Sequence, residues 1–248
     1  MSGSDVPAAP ADEPTVAPLD AAVLDALRRY DTPTVCNALE VVAPKRRGHG
    51  FTVSPLVCPW PDRGPVVGFA RTATIRARHP ADRSAEESQR VRLAYYRHIA
   101  EGPGPTITVI EDLDHTPGYG AWWGEVNTNV HRGLGSLGVI TNGSIRDLDQ
   151  SAEGFFMLAG SVGPSHAYVH VVDIAVTVQV AGMVVRPGDL LHADRHGAVV
   201  VPAAVAAAIP AAAEALAADE AKLIGPSRQP GFSYEQLEAI ITGGGGHH

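Results

Sequence analysis

The chain has 248 residues, of which 45% are hydrophobic and 19% charged, and its formal net charge is −8 at pH 7. This length is sufficient for a sizeable core, and a single mixed α/β domain can reach it. The acidic balance argues against broad nucleic-acid binding, which needs a basic face, although residues 45–47 form a local basic patch. No apolar run is long enough to span a membrane, so we expect a cytoplasmic protein with neither a nucleic-acid nor a membrane partner.

The two ends of the sequence differ in composition from the rest. Residues 1–18 are rich in Ala, Pro, Asp and Ser without periodicity, which predicts a disordered tail, and they lack the features of a signal peptide. Residues 243–248 (GGGGHH) are interpreted as a linker or tag remnant. One folded domain is therefore predicted over residues 19–242. Its two cysteines, Cys36 and Cys58, provide neither metal-ligand spacing nor a disulfide framework.

The first predicted elements are two helices and a strand. Residues 19–30 are amphipathic, and Asp31 or Thr32 can cap a second helix that has Pro33 in its first turn. Residues 66–75 are predicted to form a strand because they are dominated by β-branched and apolar side chains.

A polar segment leads to a second strand. Residues 79–92 are predicted to be a loop that runs into a helix, and residues 106–110 a buried strand. Glu111, Asp112 and Asp114 follow at the end of this strand. Three acids there are compatible with a metal site, but we favour a solvated loop.

The segment from residue 118 to residue 150 contains the most informative pattern. A Gly-rich turn precedes apolar residues near the helical period, namely Val126, Val130, Leu134 and Leu137. This pattern predicts a helix that ends at Gly138, a short strand at residues 139–140, and a turn at Asn142-Gly143.

Charged side chains are predicted at the ends of these elements. Glu125 starts the helix, and Arg146 and Asp147 follow the turn. Carboxylate oxygens favour hard ions such as Mg²⁺ or Mn²⁺. The backbone N–H groups around Gly124 to Val126 can bind an anion, and Arg146 offers a planar donor pair for carboxylate or enolate oxygens. The competing interpretation is a surface turn without a function.

Aromatic and histidine residues near this segment have alternative interpretations. Trp122 and Trp123 are predicted to be core or interface aromatics, and the alternative is that one of them lines a substrate pocket. His166 and His170 are either ligands or hydrogen-bonded parts of the structure, and we favour the second. Residues 148–159 are predicted to be helical.

The C-terminal part is predicted to change from strands to a helix. Residues 166–185 are rich in β-formers with a turn at Ala181-Gly182, and residues 184–202 contain two more strands joined by turns. Residues 203–223 form an Ala-rich helix, kinked or split at Pro210, with Asp219 and Glu220 near its end.

Several of these segments resemble the RraA-like family, which includes the class II 4-hydroxy-4-methyl-2-oxoglutarate aldolases. Those aldolases have an acid, twenty intervening residues and then Arg-Asp, and the same spacing separates Glu125 from Arg146. Glu125 departs from the usual Asp. Residues 184–202 are similar to the family's V-x-P-G-D segment, and residues 32–39 and 66–75 match two further segments.

The resemblance implies a fold and an activity. The fold is a swivelling α/β/β/α sandwich, assembled as a homotrimer or homohexamer with sites between subunits. The activity is that of a divalent-metal-dependent lyase that cleaves a C–C bond of a small 2-oxo acid through a pyruvate enolate. It is either a 4-hydroxy-2-oxo acid aldolase, an oxaloacetate decarboxylase, or both.

The resemblance also implies roles for the residues of the site. Asp147 would bind Mg²⁺ or Mn²⁺ directly, and Glu125 would act through a water and serve in proton transfer. Glu220 of a neighbouring subunit, or Asp219 as the alternative, would also act through water. Substrate would contact Arg146 and residues 124–126, that is Gly124, Glu125 and Val126. The rival within the family is a non-catalytic regulator of ribonuclease activity that masks a protein partner, and Glu125 argues against it.

Overall fold

A computed structural model describes residues 19–243, so the predicted tails at 1–18 and 244–248 lie outside the described residues. The helices are α1 (Ala21–Leu27), α2 (Thr32–Val42), α3 (Ala85–Ala100), α4 (Glu125–Gly133), α5 (Ile209–Ser227) and α6 (Tyr234–Thr242). The strands are β1 (Val66–Arg76), β2 (Thr106–Asp112), β3 (Ser136–Ile145), β4 (Phe156–Val162), β5 (His170–Ile174), β6 (Val178–Val180), β7 (Met183–Val185), β8 (Leu190–Asp194) and β9 (Gly197–Val201).

The central sheet has the strand order β4-β3-β2-β1-β8-β9, and β5 also pairs with β1. The first four strands are mutually parallel, whereas β8, β9 and β5 run antiparallel to their neighbours. β6 and β7 form a separate hairpin. The parallel strands are buried almost throughout, as expected where both faces of a sheet are covered.

Side chains alternate between the two faces of the sheet and supply separate core clusters. Ala70 and Ile107 belong to the cluster that contains the β6–β7 hairpin. Ala73 and Ile110 belong to a second cluster with Tyr95 of α3. A third cluster joins α1, α2 and α5 to β8 and β9. Helices and hairpin therefore cover opposite faces, and the predicted mixed α/β, single-domain fold is confirmed.

Several predicted boundaries follow from local chemistry. The Asp31 carboxylate accepts a hydrogen bond of 2.9 Å from Thr34 N and caps α2, as expected. Ser84 and Glu87 form a reciprocal capping box at the start of α3. Ala181 and Gly182 have φ angles of 49° and 88°, the left-handed pair that a tight hairpin turn requires.

The prediction of a helix that ends at Gly138 and buries Val126 and Val130 is wrong in both its end and its buried face. α4 ends at Gly133, and Leu137 lies in β3. Val126 is 73% exposed, whereas Thr128 and His131 are buried. Gly138 is not a helix end but a close contact between strands, because a Cβ there would lie 2.4 Å from the carbonyl oxygen of Phe156.

Two further predictions in this region are also wrong. Asn142-Gly143 is not a turn but part of β3, where the pairing with β4 shifts register between Thr141 and Ser144. The helix predicted at 148–159 is a single 3₁₀ turn followed by β4. Phe156 and Met157 enter different core clusters, which is the period of a strand and not of a helix.

The C-terminal helices match the sequence in part. A 3₁₀ segment, Ala203–Ala208, precedes α5, and Pro210 lies in the first turn of α5, so the predicted split is confirmed. α5 extends to Ser227, and α6 follows after a Ser233 capping box that the sequence analysis missed. Within residues 19–243, no helix combines the length and apolar composition needed to cross a bilayer.

Candidate functional site

The end of β3 and the start of α4 meet at one place. Trp123 forms a parallel bridge with Ile145, and Arg146 N donates a hydrogen bond of 2.9 Å to the Trp123 carbonyl. Gly124 and Arg146, which directly follow Trp123 and Ile145, are therefore brought to the same edge of the sheet. For this reason Glu125 becomes a neighbour of Arg146 and Asp147, although Asp147 is 22 residues further along the chain.

Asp147 is the centre of this arrangement. Its Oδ2 atom lies 3.3 Å from Glu125 N, whose hydrogen bond it accepts, and 3.3 Å from Arg146 Nε. The backbone of Asp147 has φ 49° and ψ 46°, a left-handed conformation that aspartate tolerates. Ser151 Oγ and Gln150 N both donate to the Asp147 carbonyl and hold this conformation. The carboxylate thereby caps α4 from outside the helix.

Gly124 has a steric role in the site. A Cβ at Gly124 would lie 2.5 Å from Asp147 Oδ2 and 3.1 Å from Arg146 Cγ. The φ of Gly124 is −164°, an extended conformation open to any residue. The glycine is therefore required by close approach, because a larger residue would displace the Asp147 carboxylate.

Polar side chains beneath α4 fix its first turn. Thr128 Oγ1 donates to the Gly124 carbonyl at 2.8 Å and accepts from Ala152 N at 3.0 Å. Asn127 Nδ2 donates to the Trp122 carbonyl at 2.6 Å. The turn that carries Glu125 is thus attached to both the preceding loop and the segment after Asp147.

His131 is a buried part of this network that the sequence analysis missed. Its Nδ1 lies 2.6 Å from the Asn127 carbonyl and its Nε2 lies 2.6 Å from Tyr95 Oη. A carbonyl only accepts, so Nδ1 carries the hydrogen and Nε2 accepts from Tyr95. Burial lowers the pKa of His131 to about 4, which keeps the ring neutral at pH 7. Its ring packs 4.5 Å from that of Trp123.

Two of the acids at the end of β2, Asp112 and Asp114, accept hydrogen bonds from backbone N–H groups and so stabilise the loop that follows. Asp112 is 2% exposed and accepts hydrogen bonds from Gly118 N and Asp114 N at 2.7 and 3.0 Å. Asp114 accepts in turn from Ala77 N at 2.8 Å. Burial raises the pKa of Asp112, and these backbone hydrogen bonds oppose the rise. The predicted solvated loop is wrong for Asp112.

The tryptophans and histidines have structural surroundings. Trp123 is fully buried and Trp122 is 8% exposed, which confirms the prediction that they are core aromatics. His166 Nδ1 and His170 Nδ1 lie 2.7 and 2.8 Å from the carbonyl oxygens of Ala167 and Tyr168. These contacts favour the structural interpretation of both histidines.

The structure of one chain does not bring all the predicted ligands together. Among residues 19–243, no group of three or more His, Cys, Asp and Glu side chains is arranged to hold a metal ion. Glu220 lies on α5, which packs against α2, α1 and α6, and Asp219 pairs with Lys222 at 2.9 Å. Of the predicted metal ligands, one chain brings together only Asp147 and Glu125, through the hydrogen bond from Glu125 N to Asp147 Oδ2.

These two carboxylates fit a hydrated divalent cation. The Asp147 side chain is 37% exposed and that of Arg146 is 34% exposed, so water and a small ligand can reach both. Mg²⁺ is usually bound by one or two carboxylates and keeps several waters, whereas an all-protein cage is uncommon. The donor set is therefore of the type that Mg²⁺ or Mn²⁺ uses.

The fold and this site define a mixed α/β protein whose polar centre lies where β3 ends and α4 begins. A family model for RraA-like proteins (Aldolase/RraA) matches residues 24–200, and the chain belongs to this family. The family includes aldolase and decarboxylase members as well as inhibitors of ribonuclease E. No curated protein matches the chain significantly.

Solved structures share the fold at low sequence identity. A protein from Pseudomonas syringae pv. tomato is 22% identical with a TM-score of 0.67, over 94% of this chain and 100% of that one. Streptomyces coelicolor RraAS2, described as an unusual member of the RNase ES inhibitor RraA family, is 24% identical with a TM-score of 0.62, over 85% and 98%. A protein described among novel cellulases of gut-associated microbes is 16% identical with a TM-score of 0.67, over 85% and 90%.

Proposed function

We propose that the protein is a divalent-metal-dependent lyase that cleaves a C–C bond of a small 2-oxo acid. The observation that carries the proposal is the convergence of Glu125, Arg146 and Asp147 at the end of β3, with Gly124 leaving room for the Asp147 carboxylate. Membership of a family that contains aldolases and decarboxylases supports the reaction class.

Asp147 and Glu125 would hold the cofactor, Mg²⁺ or Mn²⁺. Asp147 would be a direct ligand, since only its Oδ2 atom is engaged by the contacts described above. Glu125 is exposed at the helix start and would act through a water. When bound, the ion would supply Lewis-acid stabilisation of negative charge on the substrate.

Arg146 and the start of α4 would bind the 2-oxo acid. Arg146 directs Nε at Asp147, and within residues 19–243 its two Nη atoms have no hydrogen-bond partner, so they can contact a carboxylate. Val126 N lies in the first turn of α4, where backbone N–H groups have no acceptor within the helix. The guanidinium of Arg146 is positively charged, and the N–H at the helix start carries a partial positive charge. Both favour an anionic substrate.

The reaction breaks one C–C bond and ends with protonation of the enolate that remains. Cleavage of the C3–C4 bond of the 2-oxo acid leaves the electron pair on the pyruvyl fragment as an enolate. Arg146 stabilises the negative charge of this enolate. In a 4-hydroxy-2-oxo acid the 4-hydroxyl loses its proton as the released carbonyl forms, and Glu125 is placed to accept it. In oxaloacetate the released fragment is CO₂. Protonation of the enolate carbon then gives pyruvate: Glu125 returns its proton in the first case, and water supplies the proton in the second.

The site is proposed to be completed between copies of the chain. RraA family proteins are typically oligomeric. We expect a homotrimer or homohexamer in which Glu220 of a neighbouring copy contributes through water. This arrangement would add the negative charge that one chain does not supply, since the described part of one chain has no group of three metal-binding side chains.

The test is pyruvate release from oxaloacetate and from 4-hydroxy-4-methyl-2-oxoglutarate, with Mg²⁺ or Mn²⁺ and with the metal-only background subtracted. We expect activity in the natural chain and its loss in Asp147→Asn. Asp149→Asn, which changes an exposed acid two residues away, is the matched control and should remain active. If the natural chain never exceeds background on either substrate, the lyase proposal is wrong, and inhibition of a ribonuclease becomes the activity to measure.

A further inference from the structure

A groove outside the Asp147 site lies between α3 and the start of β5. It encloses about 320 Å³ and is defined here by Arg83, Val91, Arg92, Trp122, Val169 and His170. Glu125, Arg146 and Asp147 do not line it. The volume lies at the lower end of the range for small-molecule sites.

The floor of the groove is apolar and rigid. The indole of Trp122 packs edge-on against Tyr95, with ring centroids 5.6 Å apart, inside the core cluster that also contains Ile110. Val91 and Val169 are half-buried against the same cluster. A flat apolar group can therefore lie against this floor without reorganising it.

The charges around the groove are positive. Arg83 and Arg92 both line it, and no Asp or Glu does. Arg83 is held in place because one Nη atom donates to the Val171 carbonyl. Glu87, the acid nearest in sequence to Arg92, is engaged elsewhere, since its carboxylate accepts from Ser84 N at 2.9 Å. Two guanidinium groups thus flank an apolar floor.

His170 adds a polar group with a defined orientation. Its Nδ1 atom lies 2.8 Å from the Tyr168 carbonyl, which only accepts, so Nδ1 carries a hydrogen. Within residues 19–243 the other ring nitrogen, Nε2, has no hydrogen-bond partner and can contact a ligand. Ser88 and Gln89 are uncharged polar residues along the same wall.

We infer that the α3–β5 groove is a second binding site, for a carboxylate carried on a flat aromatic ring. The ring lies against Trp122, and the carboxylate is bound by Arg92 with Arg83 beside it. Arginine suits this role because its planar donor pair matches a carboxylate. The inference does not depend on the proposed lyase activity.

The groove is also connected to the Asp147 site. The Trp122 carbonyl accepts from Asn127 of α4 at 2.6 Å, and the next residue, Trp123, binds Arg146 through its own carbonyl. A ligand in the groove therefore contacts Trp122, which is two positions before Gly124 in the chain. Binding should accordingly alter tryptophan fluorescence.

Benzoate is the probe, because it combines the ring and the carboxylate in one small molecule. We expect saturable binding to the natural chain by calorimetry, together with a change in tryptophan fluorescence that Trp122→Phe removes. Arg92→Gln should weaken binding at least about fivefold by removing a charge-assisted contact. Arg92 is exposed, so this variant should keep the fold. Benzyl alcohol, which has the ring without the charge, should not bind measurably.

Two control variants separate this site from its surroundings. Arg90→Gln removes an exposed arginine of α3 that pairs with Glu87 and does not line the groove, so it should bind benzoate normally. Asp147→Asn should also bind it normally, even if the lyase proposal fails. Equal affinity in Arg92→Gln and the natural chain, or no saturable binding, would overturn the inference. A lower assembly mass in Arg92→Gln would identify the groove as a contact between copies and would also overturn it.

Discussion

At the scale of single residues, Gly124 lies against the Asp147 carboxylate and limits what can stand at the start of α4. In Gly124→Ala the new Cβ would meet Asp147 Oδ2 at 2.5 Å, so the carboxylate must move. We expect Mn²⁺ affinity, measured by calorimetry, to fall about tenfold, since displaced supporting contacts typically cost that much. Gly133→Ala is the control because a Cβ there meets nothing within 4 Å. Unchanged affinity in Gly124→Ala would contradict a direct role for Asp147.

Arg146 provides a second test at the same scale. Arg146→Lys keeps the charge but loses the planar guanidinium, whose Nε contacts Asp147 and whose two Nη atoms are proposed to bind the substrate carboxylate. We expect kcat for pyruvate release to fall at least about tenfold, with a smaller change in KM, because the lost contact strengthens as the enolate forms. Steady-state kinetics with a saturating metal concentration measure both constants. A rise in KM with an unchanged kcat would assign Arg146 to substrate binding without a role in the reaction.

At the scale of elements, α4 depends on a neutral histidine in its last turn. The pKa of His131 is about 4 in the fold, below its ordinary value of 6.5, because burial disfavours the charged ring. The stabilisation from neutral His131 is complete above about pH 6.5 and is lost as the pH falls towards 4. Between pH 7 and pH 5 the loss amounts to about 2 kcal/mol.

Urea unfolding of the natural chain and of His131→Gln at pH 7 and pH 5 measures this loss. Glutamine is neutral at both values, so the variant should be less stable at pH 7 but should lose less stability between the two. Burial also lowers the pKa of His192, which contributes a loss of the same sign and remains in both proteins. Asp112, whose pKa is raised, acts in the opposite direction in both. An identical pH dependence in the two proteins would contradict the assignment to His131.

The same helix shows where local sequence stops being informative. The period of Val126 and Val130 predicted a buried apolar face, yet both are exposed and the polar His131 is buried. His131 is stable there only because Tyr95, 36 positions away in sequence, supplies a partner at 2.6 Å. The cap of α2 by Asp31, in contrast, involves neighbours three residues apart, and it was predictable for that reason.

At the scale of the whole molecule, the sequence predicted the class of fold but not its connections. Most strands were predicted from composition, yet β1 pairs with β2, β5 and β8, which come from distant parts of the chain. Arg146 and Asp147 were predicted as site residues because their spacing from Glu125 resembles that in the aldolases of the family. The close approach of Gly124 could not be predicted, because it depends on how β3 and α4 meet in space.

Mixed oligomers test whether two copies of the chain share one site. Asp147→Ala removes a ligand that each chain contributes to its own site. Glu220→Gln changes the residue that each chain is proposed to contribute to the site of its neighbour. We expect each variant to be inactive alone. When the two are mixed and reassembled, a site with both natural residues forms wherever a Glu220→Gln chain meets an Asp147→Ala neighbour. Random pairing gives about one quarter of natural activity in a closed ring. Mixing Asp147→Ala with Arg146→Ala, whose defects both lie in a chain's own part, should restore nothing. If the first mixture also stays inactive while light scattering shows mixed oligomers, Glu220 does not complete the neighbouring site.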